Sequence, residues 1–105
     1  MTVFTKNIDS LLSSGFFNKE HHNWVFTEKV ALDKLDNLIN HRYPILDGEI
    51  YNESFSLIWS WSCDRRRYEN EDEYLKRSRN EAERNITDTQ WLEGAKFFSF
   101  TPTLF

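Results

Sequence analysis

The stretch Ser54–Cys63, SFSLIWSWSC, alternates between large apolar and small polar residues. Successive side chains of a strand point to opposite faces of a sheet, so the pattern predicts a strand with one buried and one open face. The buried row comprises Phe55, Leu57, Trp59, Trp61 and Cys63. The open row comprises Ser54, Ser56, Ile58, Ser60 and Ser62. A sheet that is covered on one face only is typically antiparallel.

The clearest helix in the chain is predicted over Glu28–His41, where apolar residues recur at helical spacing. Thr27 is placed to cap its start. Its end is set by Pro44, because the residue before a proline is pushed out of the helical region. A shorter helix is predicted over residues 8–14 and ends at Gly15.

A further helix is predicted after the alternating strand. Asn70 and Glu73 stand at the spacing of a capping box, and the helix should reach about Ile86. Its narrow apolar face comprises Tyr74, Leu75, Ser78, Ala82 and Ile86. Charged residues cover the rest of its surface, so it should rest on the sheet along a thin seam.

A hairpin is predicted before the alternating strand. Ile45-Leu46 and Glu49–Tyr51 are short extended segments, and the Asp47-Gly48 dipeptide between them is a turn signal. Asn52-Glu53 then turns the chain into the alternating strand. We therefore expect that strand to lie at the centre of the sheet.

Two aromatic segments lie towards the ends of the chain. Trp24–Phe26 is a candidate short strand, and Phe97–Phe105 is too aromatic to be disordered. Pro102 makes this tail an edge strand or a packed arm. The 105 residues suit one domain, 1–105, of the α+β class, with a small antiparallel sheet (the hairpin plus the long strand) and about three helices on one face.

Charge and cysteine content narrow the class of partner and compartment. The formal net charge is −4, which weakly disfavours nucleic acid and favours a basic protein partner. Cys63 is the one cysteine and cannot form an internal disulfide, so a reducing, cytoplasmic location is expected. The start of the sequence lacks the pattern of a secretory signal, and no run reaches the roughly 20 apolar residues that span a bilayer.

No catalytic or metal-binding motif is evident in the sequence. His21 and His22 are adjacent and would diverge on a strand, and His41 is distant from both. Cys63 is predicted to be buried, which disfavours the thiolate that a nucleophile requires. Three glycines leave little for a loop that cradles phosphate. We therefore expect no enzyme activity, no cofactor and no metal.

Acidic side chains and a tyrosine border the predicted hairpin and follow the long strand. These candidate partner-binding residues are Asp47, Glu49, Tyr51, Glu53, Asp64 and Glu69. Acids beside aromatic residues suit a basic protein, for which charge complementarity raises the association rate and the specificity.

An alternative function is binding of RNA or single-stranded nucleic acid. Arg65–Arg67 and Tyr68 lie close in sequence to Trp59 and Trp61, and such sites combine positive charge with stacking rings. Acidic residues that follow the arginines can neutralise them, and the two tryptophans are expected in the core. The basic-partner interpretation is therefore favoured.

Considered together, the order of these motifs resembles a family of small bacterial immunity proteins. The resemblance covers about Ile8 to Ile86, and its motifs are structural. In the first half of the chain it rests on Gly15-Phe16, Asn23-Trp24-Val25-Phe26-Thr27, Ala31-Leu32 through Leu38, and Pro44–Tyr51. In the second half it rests on Trp61, Cys63 and Arg66, followed by Tyr74, Arg77, Ser78 and Ala82.

The resemblance implies a function that the residues alone do not give. Such proteins are encoded beside polymorphic toxins, including those of contact-dependent growth inhibition systems, and each neutralises its cognate toxin in the producing cell. It thus implies a cytoplasmic, non-enzymatic inhibitor that forms a heterodimer with a basic toxin, a nuclease or ribonuclease, and blocks its active site stoichiometrically.

Overall fold

A three-stranded antiparallel sheet covered by two helices forms the centre of the structure, a computed structural model that describes residues 16–18 and 23–105. The elements in chain order are β1 (Phe16–Asn18), β2 (Asn23–Val25), α1 (Glu28–Asn40), β3 (Ile45–Tyr51), β4 (Leu57–Ser62), α2 (Glu71–Thr87) and β5 (Phe97–Pro102). The predicted α+β class is confirmed. The helix predicted over residues 8–14 lies outside the described residues.

The strand order is β4-β3-β5, so β3 is the central strand. The expectation that the alternating strand is central is wrong, because β4 lies at an edge. The prediction of a turn at Asp47-Gly48 is wrong as well. Both residues lie within β3 and pair with Ser62 and Trp61 of β4. The turn predicted at Asn52-Glu53 is correct and joins β3 to β4.

The two short strands β1 and β2 form a separate antiparallel pair. Phe26, just after β2, joins this pair to the free side of β5. Its backbone N–H donates to the carbonyl of Phe98, and its own carbonyl accepts the N–H of Phe98, both at 2.8 Å. Residues Phe97–Pro102 of the predicted C-terminal tail thus form an edge strand of the three-stranded sheet, as expected, and one bridge to Phe26 holds its outer side.

Both described helices have the predicted apolar faces. α1 buries Ala31, Leu35 and Leu38, and α2 buries the five residues that the sequence indicates, Tyr74, Leu75, Ser78, Ala82 and Ile86. Thr27 is the N-cap of α1, but its side chain makes no capping hydrogen bond. The capping box of α2 is complete: Glu73 N–H donates to Asn70 Oδ1 at 2.8 Å, and Asn70 N–H donates to Glu73 Oε1 at 3.1 Å. Neither helix is long and apolar enough to cross a membrane.

Gly48 controls how the sheet packs against α2. It lies opposite Trp61 on one side and Phe100 on the other, and these side chains share the face that the helices cover. A Cβ at Gly48 would stand 2.1 Å from Cζ2 and Cη2 of Trp61. The indole therefore lies across the central strand, in space that any other residue would fill. Trp61 joins one core cluster with Ala82 and Ile86 of α2.

The alternating stretch is buried over part of its length only. Trp61 and Cys63 are in the core, whereas Trp59 is 41% exposed and Leu57 is 44% exposed. Alternation gives the correct face for Trp59, but at the edge of the sheet the helix layer covers that face incompletely. Phe55 precedes β4, has a positive φ of 61° and stacks on Phe97 with ring centroids 4.6 Å apart.

Arg77 of α2 fixes the connection between β4 and that helix. Its guanidinium donates to both carboxylate oxygens of Glu69, at 2.6 and 2.7 Å, and to the carbonyl of Asp64 at 2.6 Å. It also donates to Cys63 Sγ at 3.1 Å. Tyr74 adds a bond of 2.7 Å from its hydroxyl to the carbonyl of Cys63. A paired, largely buried carboxylate thus fastens residues 63–69 to α2.

We predict that Gly48 and Trp61 are energetically coupled. Gly48→Ala should cost about 1 to 3 kcal/mol because the methyl group overpacks the indole. Trp61→Ala should cost about 3 to 5 kcal/mol, as large aromatic truncations in a core do. In the double variant the added methyl group occupies the space that the indole vacates. The loss of stability in the double variant should therefore be well below the sum of the losses in the two single variants. Urea unfolding of all four proteins measures this, and strict additivity would contradict the contact.

We also predict a pH-dependent contribution from Glu69. The hydrogen bonds from Arg77 lower the pKa of Glu69 from its ordinary value of 4.5 to about 2. A carboxylate with a depressed folded-state pKa stabilises fully above its unfolded-state pKa, and the gain disappears as the pH falls through the folded-state value. Wild type should therefore exceed Glu69→Gln in stability at pH 6, and the difference should shrink between about pH 4.5 and about pH 2.

Chemical denaturation of both proteins across that pH range measures the difference. Glu53→Gln is the matched control, because Glu53 is an exposed glutamate on the turn between β3 and β4. A difference for Glu69→Gln that stays constant down to pH 2 would show that the ion pair does not hold this connection.

Candidate functional site

An acidic hollow lies on the face of the sheet that is turned away from α1 and α2. Its volume is about 530 Å³, and its lining includes Asp47, Glu49, Ser60, Ser62 and Thr101. The strand register assembles it: Asp47 lies opposite Ser62 on β4 and Thr101 on β5, and Glu49 lies opposite Ser60. Ser60 and Ser62 of the predicted open row therefore do lie on an outer face, whereas Ile58 of that row packs against the core cluster. Of the predicted partner-binding residues, Asp47 and Glu49 are the two that line this hollow.

Tyr51 is fully buried, although it was expected at the surface beside the hairpin. It lies on the central strand, between Leu57 of β4 and Phe97 of β5, so both of its flanks are covered. Its hydroxyl donates to Glu49 Oε1 at 3.1 Å. Tyr51 thus contributes to the hollow indirectly, by orienting the carboxylate of Glu49.

The other predicted acids are spread along the sheet. Glu53 is exposed on the turn before β4, and Asp64 is exposed just after that strand. Since a six-residue strand spans roughly 20 Å, these two carboxylates lie at opposite ends of β4. The side chain of Glu69 is only 8% exposed and is occupied by Arg77 and by the backbone N–H of Arg66. Glu69 therefore serves the fold rather than an open surface.

The described candidates for catalysis or metal binding, Cys63 and His41, belong to no metal-binding cluster. Burial raises the pKa of the Cys63 thiol, although Arg77 opposes this, so the group is a neutral thiol near neutral pH. His41 is exposed, with Nδ1 2.7 Å from the carbonyl of Asn37. His21 and His22 lie outside the described residues. Within residues 16–18 and 23–105, no three His, Cys, Asp or Glu side chains form a group that could hold a metal ion.

The basic segment Arg65–Arg67 is separated from the exposed tryptophan. Arg65 donates to the carbonyl of Glu69, beside the start of α2. Trp59 donates from Nε1 to Asn85 Oδ1 at 3.3 Å, near the end of α2. Residues 70 and 85 are roughly 22 Å apart along a helix of this length. The positive charge and the exposed ring that the nucleic-acid alternative requires therefore do not form one continuous surface.

A pair of exposed tryptophans, Trp59 and Trp91, was not anticipated from the sequence. Their rings meet edge to face, with centroids 4.9 Å apart, and Trp91 is 55% exposed. They border a second hollow of about 220 Å³ between β4 and the end of α2, also lined by Trp61, Glu81, Arg84, Asn85 and Asp88. The one sequence signal was an isolated tryptophan in the polar segment after α2.

No curated protein matches the chain. A family model described as Immunity protein 40 matches residues 10–102, which is most of the chain. The match extends beyond Ile86 and takes in β5, which the resemblance noted in the sequence did not reach. The expected relationship to bacterial immunity proteins is confirmed, and the chain belongs to the immunity protein 40 family.

Proposed function

We propose that this protein binds a cognate toxin as a one-to-one heterodimer and neutralises it by blocking its active site. The family match carries the proposal, since an immunity protein implies a toxin partner. The toxin is basic, a nuclease or ribonuclease, and the complex forms in the cytoplasm of the producing cell. Such a role requires a standard interface of roughly 1,600 Å² and a Kd near or below about 1 nM.

Charge supports a basic partner. The chain has a formal net charge of −4. Among the residues that the structure describes, the lining of the acidic hollow contains the carboxylates of Asp47 and Glu49 and neither lysine nor arginine. Glu53 and Asp64 extend negative charge to both ends of β4. A cationic cleft that normally binds the phosphates of a nucleic acid would be attracted to such a surface.

The chemistry of the described side chains supports inhibition by binding rather than by catalysis. Cys63 is the one nucleophile of interest, and it is buried, neutral and held by Arg77. A catalytic cysteine requires an accessible thiolate and an adjacent base. Protection should then depend on the amount of the complex and not on turnover.

We predict that protection saturates near one mole of this protein per mole of toxin. The measurement is a titration of nuclease activity of the toxin domain encoded beside this gene against increasing amounts of the protein, read at two incubation times. The end point should be the same at both times. Complete protection far below equimolar amounts, growing with time and absent in a folded Cys63→Ser variant, would instead indicate an enzyme that modifies the toxin.

We further predict that charge at the acidic hollow accelerates association. Asp47→Lys should lower the association rate constant roughly 10-fold at low salt and much less at high salt, because steering is screened. Asp33→Lys, on the exposed side of α1, makes the same change in net charge and is the control. Stopped-flow mixing with the same toxin domain measures both. Equal rates for the two variants would exclude the hollow from the approach path.

A further inference from the structure

Within residues 16–18 and 23–105, one side of strand β4 has no strand partner. Among the described residues it pairs with β3 alone, and Ser60 and Ser62 are exposed. The N–H of Cys63 donates to the carbonyl of Leu46 at 2.7 Å. Hydrogen-bonded pairs alternate along an antiparallel ladder, so the backbone groups of Trp61 face β3. The N–H and C=O groups of Ser60 and Ser62 therefore point outwards.

In the part of the chain that the structure describes, this edge lacks the usual protection against strand pairing. Natural edge strands carry lysine, proline or an inward charge, or they are covered by another element. Leu57–Ser62 contains no charged residue and no proline. The register shift lies at Ile50/Tyr51 and leaves the pairs from Trp59 to Ser62 regular. A regular, unprotected edge of this kind can accept an extended segment from a partner.

The Trp59–Trp91 pair lies beside this edge in a fixed arrangement. Trp59 is held through Asn85, whose Nδ2 in turn donates to the carbonyl of Glu81 at 2.8 Å. Trp91 donates from Nε1 to the carbonyl of Asp88 at 2.7 Å. Both indole N–H groups are thus satisfied internally, and the exposed ring surface is apolar. Rigid, half-exposed tryptophans are typical of the residues that dominate binding energy at interfaces.

The two faces beside the edge differ in chemistry. On the helix side, the second hollow is bordered by the two tryptophans and by Asp88. On the opposite side, Ser60 and Ser62 lead to the acidic hollow with Asp47. Side chains of a docked strand would alternate between these faces. An extended segment with apolar residues on one face and basic residues on the other would complement both.

We propose that the cognate toxin binds through such a segment, which pairs with β4 at Ser60 and Ser62 and packs its apolar side chains on Trp59 and Trp91. Its basic side chains reach the acidic hollow at Asp47. The proposal rests on the toxin-neutralising function above and assigns the face that performs it. The groove along α2 is a poorer candidate, because its lining mixes both charges, and Glu69 and Glu81 are already paired with Arg77 and Arg84.

The proposal is tested by binding of the toxin domain encoded beside this gene to four variants, measured by calorimetry. Ser60→Pro removes an outward N–H and leaves the ladder with β3 intact, so Kd should rise about 10-fold or more. Ser60→Ala keeps that N–H and should change Kd less than about twofold. Trp91→Ala should raise Kd about 30-fold, whereas Tyr68→Ala, an exposed aromatic on the loop before α2, should change it less than about twofold.

Hydrogen exchange on the unaltered protein provides a second measurement that does not depend on any variant folding. The amides of Ser60 and Ser62 should exchange more slowly in the complex than in the free protein. Tight binding with no protection there, and with Trp91→Ala at wild-type affinity, would overturn the proposed face while leaving the neutralising function in place. No binding by the wild-type protein would overturn both. Protection at Ser60 and Ser62 together with the loss in Trp91→Ala supports the proposal.

Discussion

The packing of this protein depends on a glycine, the one residue type without a side chain, at position 48. Gly48 stands in the middle of the central strand, and the ring of Trp61 occupies the space where its Cβ would be. The ring reaches the core cluster of α2 from an edge strand because nothing on β3 separates them. Burial of a tryptophan removes a large apolar area from water, so this contact supplies much of what holds the edge strand to the helix layer.

Trp61 shares a core cluster with Ala82 and Ile86 in the second half of α2, and two further contacts tie β4 and the connection that follows it to this helix. At the start, Arg77 fastens the connection from β4 through Glu69. Towards the end, Asn85 accepts a hydrogen bond from Trp59. Three attachments along one helix leave β4 little freedom to move relative to it. A partner that pairs with the edge would therefore meet a strand already in its bound geometry, which lowers the entropic cost of association.

Local sequence patterns predicted the helices and strands well, but they predicted poorly which strands lie next to each other in the sheet. The apolar stripe of α1 and the Asn70–Glu73 capping box of α2 are short-range patterns. Both helices lie where these patterns predict them. Asp47-Gly48 has the composition of a turn, but here the glycine is required for close approach of a ring. That requirement comes from Trp61, a strand partner thirteen residues away, and no local pattern contains it.

The candidate site shows the same division. Alternation in Ser54–Cys63 correctly predicted that Ser60 and Ser62 lie on an outer face, and the register then placed Asp47 and Glu49 beside them. It was wrong for Ile58, which packs against the core cluster next to the register shift at Ile50/Tyr51. Alternation does not say whether a strand is central or at an edge, so Trp59 was expected in the core and Tyr51 at the surface. Trp91 has no periodic neighbours, and its role depends on where the chain after α2 meets β4. Contacts of this kind depend on tertiary packing and not on local sequence.

The side chains of β4 that hold the fold are different from those that a partner would contact, and this separation affects binding specificity. Trp61 and Cys63 face the helix layer, and changing them disturbs the core. Ser60 and Ser62 are exposed, and Trp91 stands outside the regular elements, so changes at these positions alter the edge while the core stays packed. Backbone pairing is nearly independent of sequence, whereas the side chains beside it discriminate between partners. A strand of this kind allows one fold to present different recognition surfaces, because the groups that hold β4 in place are separate from those that would meet the toxin.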